Sequence, residues 1–160
     1  MIYTIGHSNH PIEKFIELLQ AYKVETIVEV RSVPKSSYST HFNKPNLIYE
    51  LSQYSIHYSG MLIKMLGGRP EDTSVLNSDN KIDEALIEKK EWYKDGIKKL
   101  ISLSKESKIA IMCSEENPKN CHRGYIISHA LLKKGEEVHH IRGDGSLQKA
   151  SYISKQVTLF

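Results

Sequence analysis

The sequence predicts a three-layer α/β domain with a mostly parallel, Rossmann-like central sheet. Apolar, β-branched runs alternate with helix-patterned segments over the whole length, the rhythm of a chain built from βα units. The first thirty residues give strand, helix, strand, a spacing that fits a parallel pair joined by a right-handed crossover. Polar loops rich in His, Arg, Ser and Cys follow the ends of these runs, the edge at which open α/β sheets bind ligands.

The first strand is Ile2-Tyr3-Thr4-Ile5, closed by a turn at Gly6. His7-Ser8-Asn9-His10 forms the loop after it, and Ser8 or Asn9 is placed to cap a helix from Pro11 to about Tyr22. Phe15, Leu18 and Leu19 form its buried stripe. Residues 24–30 make the clearest strand, Val24-Glu25-Thr26-Ile27-Val28-Glu29-Val30, with Arg31 and Ser32 directly behind it. Residues 32–44 carry no period, and a loop of that length is often functional. Pro45 starts a helix through Tyr54, and residues 55–58 read as a short strand. Gly67-Gly68-Arg69-Pro70 is a turn that places a guanidinium in a loop, and residues 71–81 form a polar linker. A helical pattern follows over 82–104, with a break expected near Gly96. Ile109-Ala110-Ile111-Met112 is a buried strand leading into the loop 113–124. The last helix spans about His122 to Lys134 and stops at Gly135, a natural C-cap. Residues 136–141 give the last strand, and the tail 146–160 carries no clear pattern.

At 160 residues the chain is the size of one domain, 1–160, with enough apolar surface for one core. Its 39% hydrophobic and 26% charged residues are those of a globular protein. No apolar run approaches the ~20 residues of a membrane helix, and no leader pattern opens the chain, so a cytoplasmic location and no membrane partner are expected. A net charge of +3 is too small to mark a nucleic-acid surface by itself, and the lysines of 81–108 alternate with glutamates as on a solvated helix face. Two cysteines in such a chain read as free thiols, ligands or catalytic groups before they read as a structural disulfide.

Cys113-Ser114-Glu115-Glu116-Asn117-Pro118-Lys119-Asn120-Cys121-His122-Arg123 concentrates two thiols, two carboxylates, an imidazole and a guanidinium where a strand ends and a helix begins. Together with Thr4-Ile5-Gly6-His7-Ser8, Glu29-Val30-Arg31-Ser32 with Pro34, Leu66-Gly67-Gly68 and Val138-His139-His140-Ile141, it resembles the domain of unknown function 488 family, DUF488. Glu29 stands where that family usually has aspartate, and Ser114 where alanine is common. The resemblance implies a fold and a shared polar site and names no reaction.

The chemistry is therefore read from the residues. Cysteine phosphatases would need an arginine at position 119, where Lys119 stands. A thiolate at Cys113 or Cys121 would be favoured by a helix N-terminus with His122 and Arg123 nearby, although a strand cysteine is more often apolar filler. Cys113, Cys121 and His122, with His7, are zinc-type donors, but they lack the paired short spacing of common zinc sites, and no metal is assigned. Arg31 and Arg123 present planar forks suited to phosphate, against the alternative that each pairs with Glu29 or Glu115. His7 and Glu115 suit acid–base work, against a plain capping role for His7 and Ser8.

The expectation is an enzyme, of hydrolase or transferase type, acting on a phosphate-bearing small molecule or nucleic-acid component. His7, Glu115, Cys121 and His122 are its catalytic candidates, and Ser8, Arg31, Ser32 and Arg123 its substrate-binding candidates. The alternatives are a nucleotide-sensing module without turnover and a thiol redox or zinc protein. No motif identifies a cofactor or an oligomeric state. His7, Arg31 and Glu115 should converge within roughly 10 Å as the width of one small ligand. A redox pair would need Cα atoms within about 7 Å, and neither that pairing nor bound zinc is expected.

Overall fold

In the computed structural model, which describes residues 1–152, the first apolar run becomes strand β1 (Ile2–Gly6), buried throughout. Helix α1 (Ile12–Ala21) buries Phe15, Ile16, Leu18 and Leu19 at helical spacing. Pro11 itself takes the N-cap position and no side chain caps the helix. The expected cap fails because Ser8 and Asn9 lie short of the N-cap, inside a turn closed by the His10 N–H on the His7 carbonyl at 3.2 Å, with Ser8 at a left-handed φ of 46°. Strand β2 (Thr26–Glu29) is the central part of the expected run. Pro45 lies in the first turn of α2 (Lys44–Ser52), and β3 (His57–Ser59) follows.

Residues 63–66 close one further turn, α3 (Ile63–Leu66). The helix expected over 82–104 is two helices, α4 (Glu84–Ile87) and α5 (Glu91–Glu106). The break lies at residues 88–90 rather than at Gly96. Asp83 caps α4 through the Leu86 N–H, and the Lys89 and Lys90 N–H groups turn back onto the carbonyls of Leu86 and Ile87. Gly96 sits inside α5 as a contact point, since a Cβ there would fall 2.8 Å from the Met65 Cβ. Strand β4 (Ile109–Cys113) is fully buried. The last helix is a π-helical segment, Arg123–Ser128, continuing as α6 (His129–Lys133), and Gly135 ends it at φ 79°. Strand β5 (Val138–Ile141) follows, and the tail adds β6 (Leu147–Lys149). Residues 153–160 of the tail lie outside the described residues.

The six strands lie in the order β3-β2-β4-β1-β5-β6, parallel except for β6, which runs antiparallel to β5. This is the expected three-layer α/β architecture. Alternation along β4 supplies both layers: Ile109, Ile111 and Cys113 pack with Leu66, Ile97, Leu100 and Leu131, while Ala110 and Met112 pack with Phe15, Leu19, Leu47 and Leu51. Each large aliphatic side chain buried this way contributes about 1.5–3 kcal/mol. Register pairs Gly6 with Cys113 and Glu29 with Met112, so the carboxyl ends of β1, β4 and β2 lie side by side. Among the described residues no helix is long and apolar enough to cross a membrane.

Candidate functional site

Three loops leave that shared edge. The β1–β4 pairing continues past the strands, with the His7 N–H donating to the Cys113 carbonyl at 2.9 Å and the Ser8 N–H to the Ser114 carbonyl at 2.8 Å. The loop after β4 then crosses directly over β1. A Cβ at Gly6 would lie 1.8 Å from the Glu115 carbonyl oxygen, and one at Gly124 would lie 1.9 Å from that of Pro118. Glycine at both positions is what allows the loop to lie so close. Between the loops is a cavity of about 490 Å³, within the size range of small-molecule sites. His7, Arg31 and Ser32 line one side, Cys113, Glu115, Cys121 and His122 another, and Lys35, Gly68 and Arg69 complete the rim.

Arg31 and Glu29 form a buried fork. Arg31 Nε donates to Glu29 Oε1 at 2.7 Å and Nη2 to Oε2 at 2.7 Å, while the Tyr58 hydroxyl donates to Oε2 at 3.0 Å. Burial and the neighbouring Glu29 raise the Tyr58 pKa, so that hydroxyl stays protonated. Nη2 also reaches the Phe42 carbonyl at 2.8 Å. One arm remains: Nη1 meets His7 Nε2 at 3.2 Å. With that nitrogen accepting, His7 Nδ1–H donates to the Ser8 carbonyl at 2.7 Å, and the ring stacks on Phe42 at 4.4 Å. Burial lowers the His7 pKa to about 4 and the Arg31 charge adds to it, so His7 is neutral at pH 7.

Arg123 lies beneath the loop and is wholly buried. Its guanidinium donates to the carbonyls of Glu115 at 2.6 Å and Glu116 at 2.9 Å, to Cys113 Sγ at 3.1 Å and to Thr4 Oγ1 at 3.2 Å. Burial lowers its pKa to about 10, which leaves it charged at neutral pH. Thr4 Oγ1 also meets His140 Nδ1 at 2.6 Å, and burial holds His140 near pKa 4. His140 is thus the inward-facing member of the His139-His140 pair. The loop is tied on its far side by Glu116, whose carboxylate receives both Arg142 Nε and Nη2 at 2.8 Å and the Gly143 N–H at 2.9 Å. The Arg142 bond holds the Glu116 pKa down near 2.

Cys113 and Cys121 are joined as a disulfide, against the expectation that they would stay apart. Their Cα atoms are 7.5 Å apart, just outside the span set for a pair. The sulfurs meet because the loop makes one 3-10 turn at residues 118–120 and returns to the end of β4. His122 Nε2–H donates to the Leu66 carbonyl at 2.9 Å, which leaves Nδ1 facing Cys121 Sγ at 3.7 Å. Burial lowers the His122 pKa to about 4. Among the described residues no group of three or more His, Cys, Asp or Glu is arranged to hold a metal ion.

Of the candidates read from sequence, His7, Arg31, Ser32, Glu115, Cys121 and His122 share the lining of this cavity. Ser8 and Arg123 lie off its wall, Ser8 at the left-handed turn and Arg123 under the loop. Ser32 Oγ accepts the Arg69 N–H at 2.8 Å and so fixes the turn that carries Arg69. Lys35 and Arg69 were not among the candidates. Their signals were present, a lysine inside a long patternless loop and an arginine directly after two glycines. The Glu116–Arg142 fork had no local signal, because its partners are 26 residues apart.

A family model described as domain of unknown function DUF488 matches residues 11–130. The matched span holds the loops after β2 and β4 and the Gly67-Gly68 turn, and excludes β1 and β5. No curated protein and no solved structure matches the chain.

Proposed function

The chain belongs to the DUF488 family, and from that premise we propose that it is an enzyme acting on a phosphate-bearing small molecule or nucleic-acid component held in the cavity at the carboxyl ends of the strands. The observation that carries the reading is the charge around that cavity. Arg31, Lys35 and Arg69 all face it, Glu115 is the one carboxylate on its lining, and Lys35 and Arg69 have no ion-pair partner among the described residues. Cations left uncompensated at the mouth of a concave site favour an anionic ligand by both encounter and hold.

In this reading Lys35 and Arg69 take the phosphate oxygens, and Arg31, fixed by Glu29, adds the Nη1 arm that now rests on His7. A ligand that draws Nη1 away would free the His7 Nε2 lone pair to accept a proton, with exposed Glu115 as the second acid–base group. Ser8 and Arg123 serve the substrate through the loop they shape.

The test is thermal melting and calorimetric titration of the full chain with inorganic phosphate and nucleoside monophosphates, followed by assay for released product. Arg69→Ala should weaken binding about tenfold or more, equivalent to ~1.4 kcal/mol or more. Absence of any anion effect on the wild type would remove the reading. Binding with no product formed would select the sensing module instead.

A further inference from the structure

We infer that Cys113 and Cys121 form a thiol–disulfide exchange centre on the cavity wall, reactive toward a low-molecular-weight disulfide that carries acidic groups. Both cysteines line the cavity, and their sulfurs adjoin. Their surroundings differ in a way that suits two successive steps. Cys121 Sγ faces His122 Nδ1 at 3.7 Å, a nitrogen left as acceptor because Nε2–H is committed to the Leu66 carbonyl. Cys113 Sγ lies deeper and receives an Arg123 Nη1–H at 3.1 Å, so a buried cation stands against it. The His122 nitrogen can accept a hydrogen bond from the Cys121 thiol, and the fixed positive charge beside Cys113 favours the thiolate.

In the reduced protein Cys121 releases its proton to solvent and attacks, as the thiolate, one sulfur of the small disulfide. The S–S bond of the ligand breaks, a mixed disulfide forms on Cys121, and the departing thiolate takes a proton from solvent. Cys113, its proton released to solvent, then attacks Cys121 Sγ as the thiolate, the mixed-disulfide bond breaks, and the second ligand thiolate leaves and takes a proton from solvent. The protein loses two electrons and two protons, and one ligand disulfide becomes two thiols. A reducing dithiol returns the pair to its starting state by the reverse exchange. Lys35 and Arg69 face the same cavity, which is why the partner should be acidic. Only that choice of partner rests on the proposed anion site. The thiol chemistry stands on the neighbours of the sulfurs themselves.

The experiment treats the reduced full-length chain with oxidised glutathione, which is acidic, or cystamine, which is basic, and follows intact mass and released thiol. Wild type should consume one glutathione disulfide per chain and end as the internal disulfide. Cys113→Ser should stop at a glutathionyl adduct on Cys121, and Cys121→Ser should react roughly tenfold more slowly or less. Should either variant fail to fold, acid quenching of the wild-type reaction and peptide mapping give the same answer, with the early adduct on Cys121. Thiols that react only after denaturation, or an early adduct on Cys113, would overturn the inference. Equal rates with the two disulfides would overturn the acidic partner. Stabilisation by phosphate with inert thiols removes this inference and leaves the anion reading. Reactive thiols with no anion effect on melting do the reverse.

Discussion

Arg123 is the residue around which the loop is wrapped, and its removal should be felt in stability before it is felt anywhere else. Arg123→Ala strands the carbonyls of Glu115 and Glu116 that it now satisfies, and Lys in its place cannot span acceptors on three sides. We expect Arg123→Ala to lose about 3 kcal/mol or more in urea unfolding, with Arg123→Lys between it and the wild type. A fully stable Arg123→Ala that has lost only anion binding would return Arg123 to the substrate. The buried histidines make a second residue-scale prediction. His7, His122 and His140 are held near pKa 4 by burial, below their unfolded value of 6.5, so the unfolded chain takes up their protons first. Their contribution is fully present above about pH 6.5 and is lost as pH falls toward 4, by roughly 2 kcal/mol each between pH 7.5 and pH 5. Glu116, held near 2, has the same direction of loss but only below about pH 4.5, outside that window. Unfolding free energy that is flat from pH 7.5 to pH 5 would contradict the buried-neutral assignment of all three.

At the scale of elements, the sequence was most legible where one periodicity acts alone. Residues 2–6, 26–29 and 109–113 announce themselves as strands because apolar side chains such as Ile27 and Val28 fall on both faces, as parallel strands covered by helices require. The break in the helical stretch 82–104 is expected near Gly96 because the apolar spacing continues across residues 88–90, and only the Asp83 cap and the backbone turns reveal its true place. The π-helical turn was hidden for a different reason. Almost every residue from Arg123 to Leu131 is buried, so no polar face marks the phase of the helix. The convergence of the loops after β1, β2 and β4 followed from strand polarity alone, whereas the pairing of the cysteines depends on a return turn that no spacing rule encodes. The crossing of that loop over β1 has its own test. Gly6→Ala drives a methyl group into the backbone of Glu115 and Glu116, which are not free to yield while Arg123 and Arg142 hold them. The expected cost is about 3 kcal/mol or more in thermal or urea unfolding, together with disturbed anion binding. A neutral Gly6→Ala would mean that the loop rides higher above the strand.

For the whole molecule, the site depends on a sheet whose central strands are far apart in sequence. β1 has β4 on one side and β5 on the other, with Tyr3 opposite both Ala110 and His139. Strand β1 therefore has no partner until more than a hundred residues have followed it. A fragment spanning residues 1–108 should show no cooperative melting transition and no slowly exchanging amides in residues 2–6, and a cooperative transition in that fragment would contradict this. The same arrangement sets an order for biosynthesis. While the ribosome is still adding residues, Ile2, Tyr3 and Ile5 stay exposed on an unpaired strand, a species prone to sticking to other chains. Closing a ring of that length is also entropically slow, so folding should run on the timescale of non-local sheets rather than of helical domains. The pairing that sets the loops after β1 and β4 side by side in the mature protein thus keeps every part-made chain incompetent for that site and leaves it in need of protection until β4 emerges.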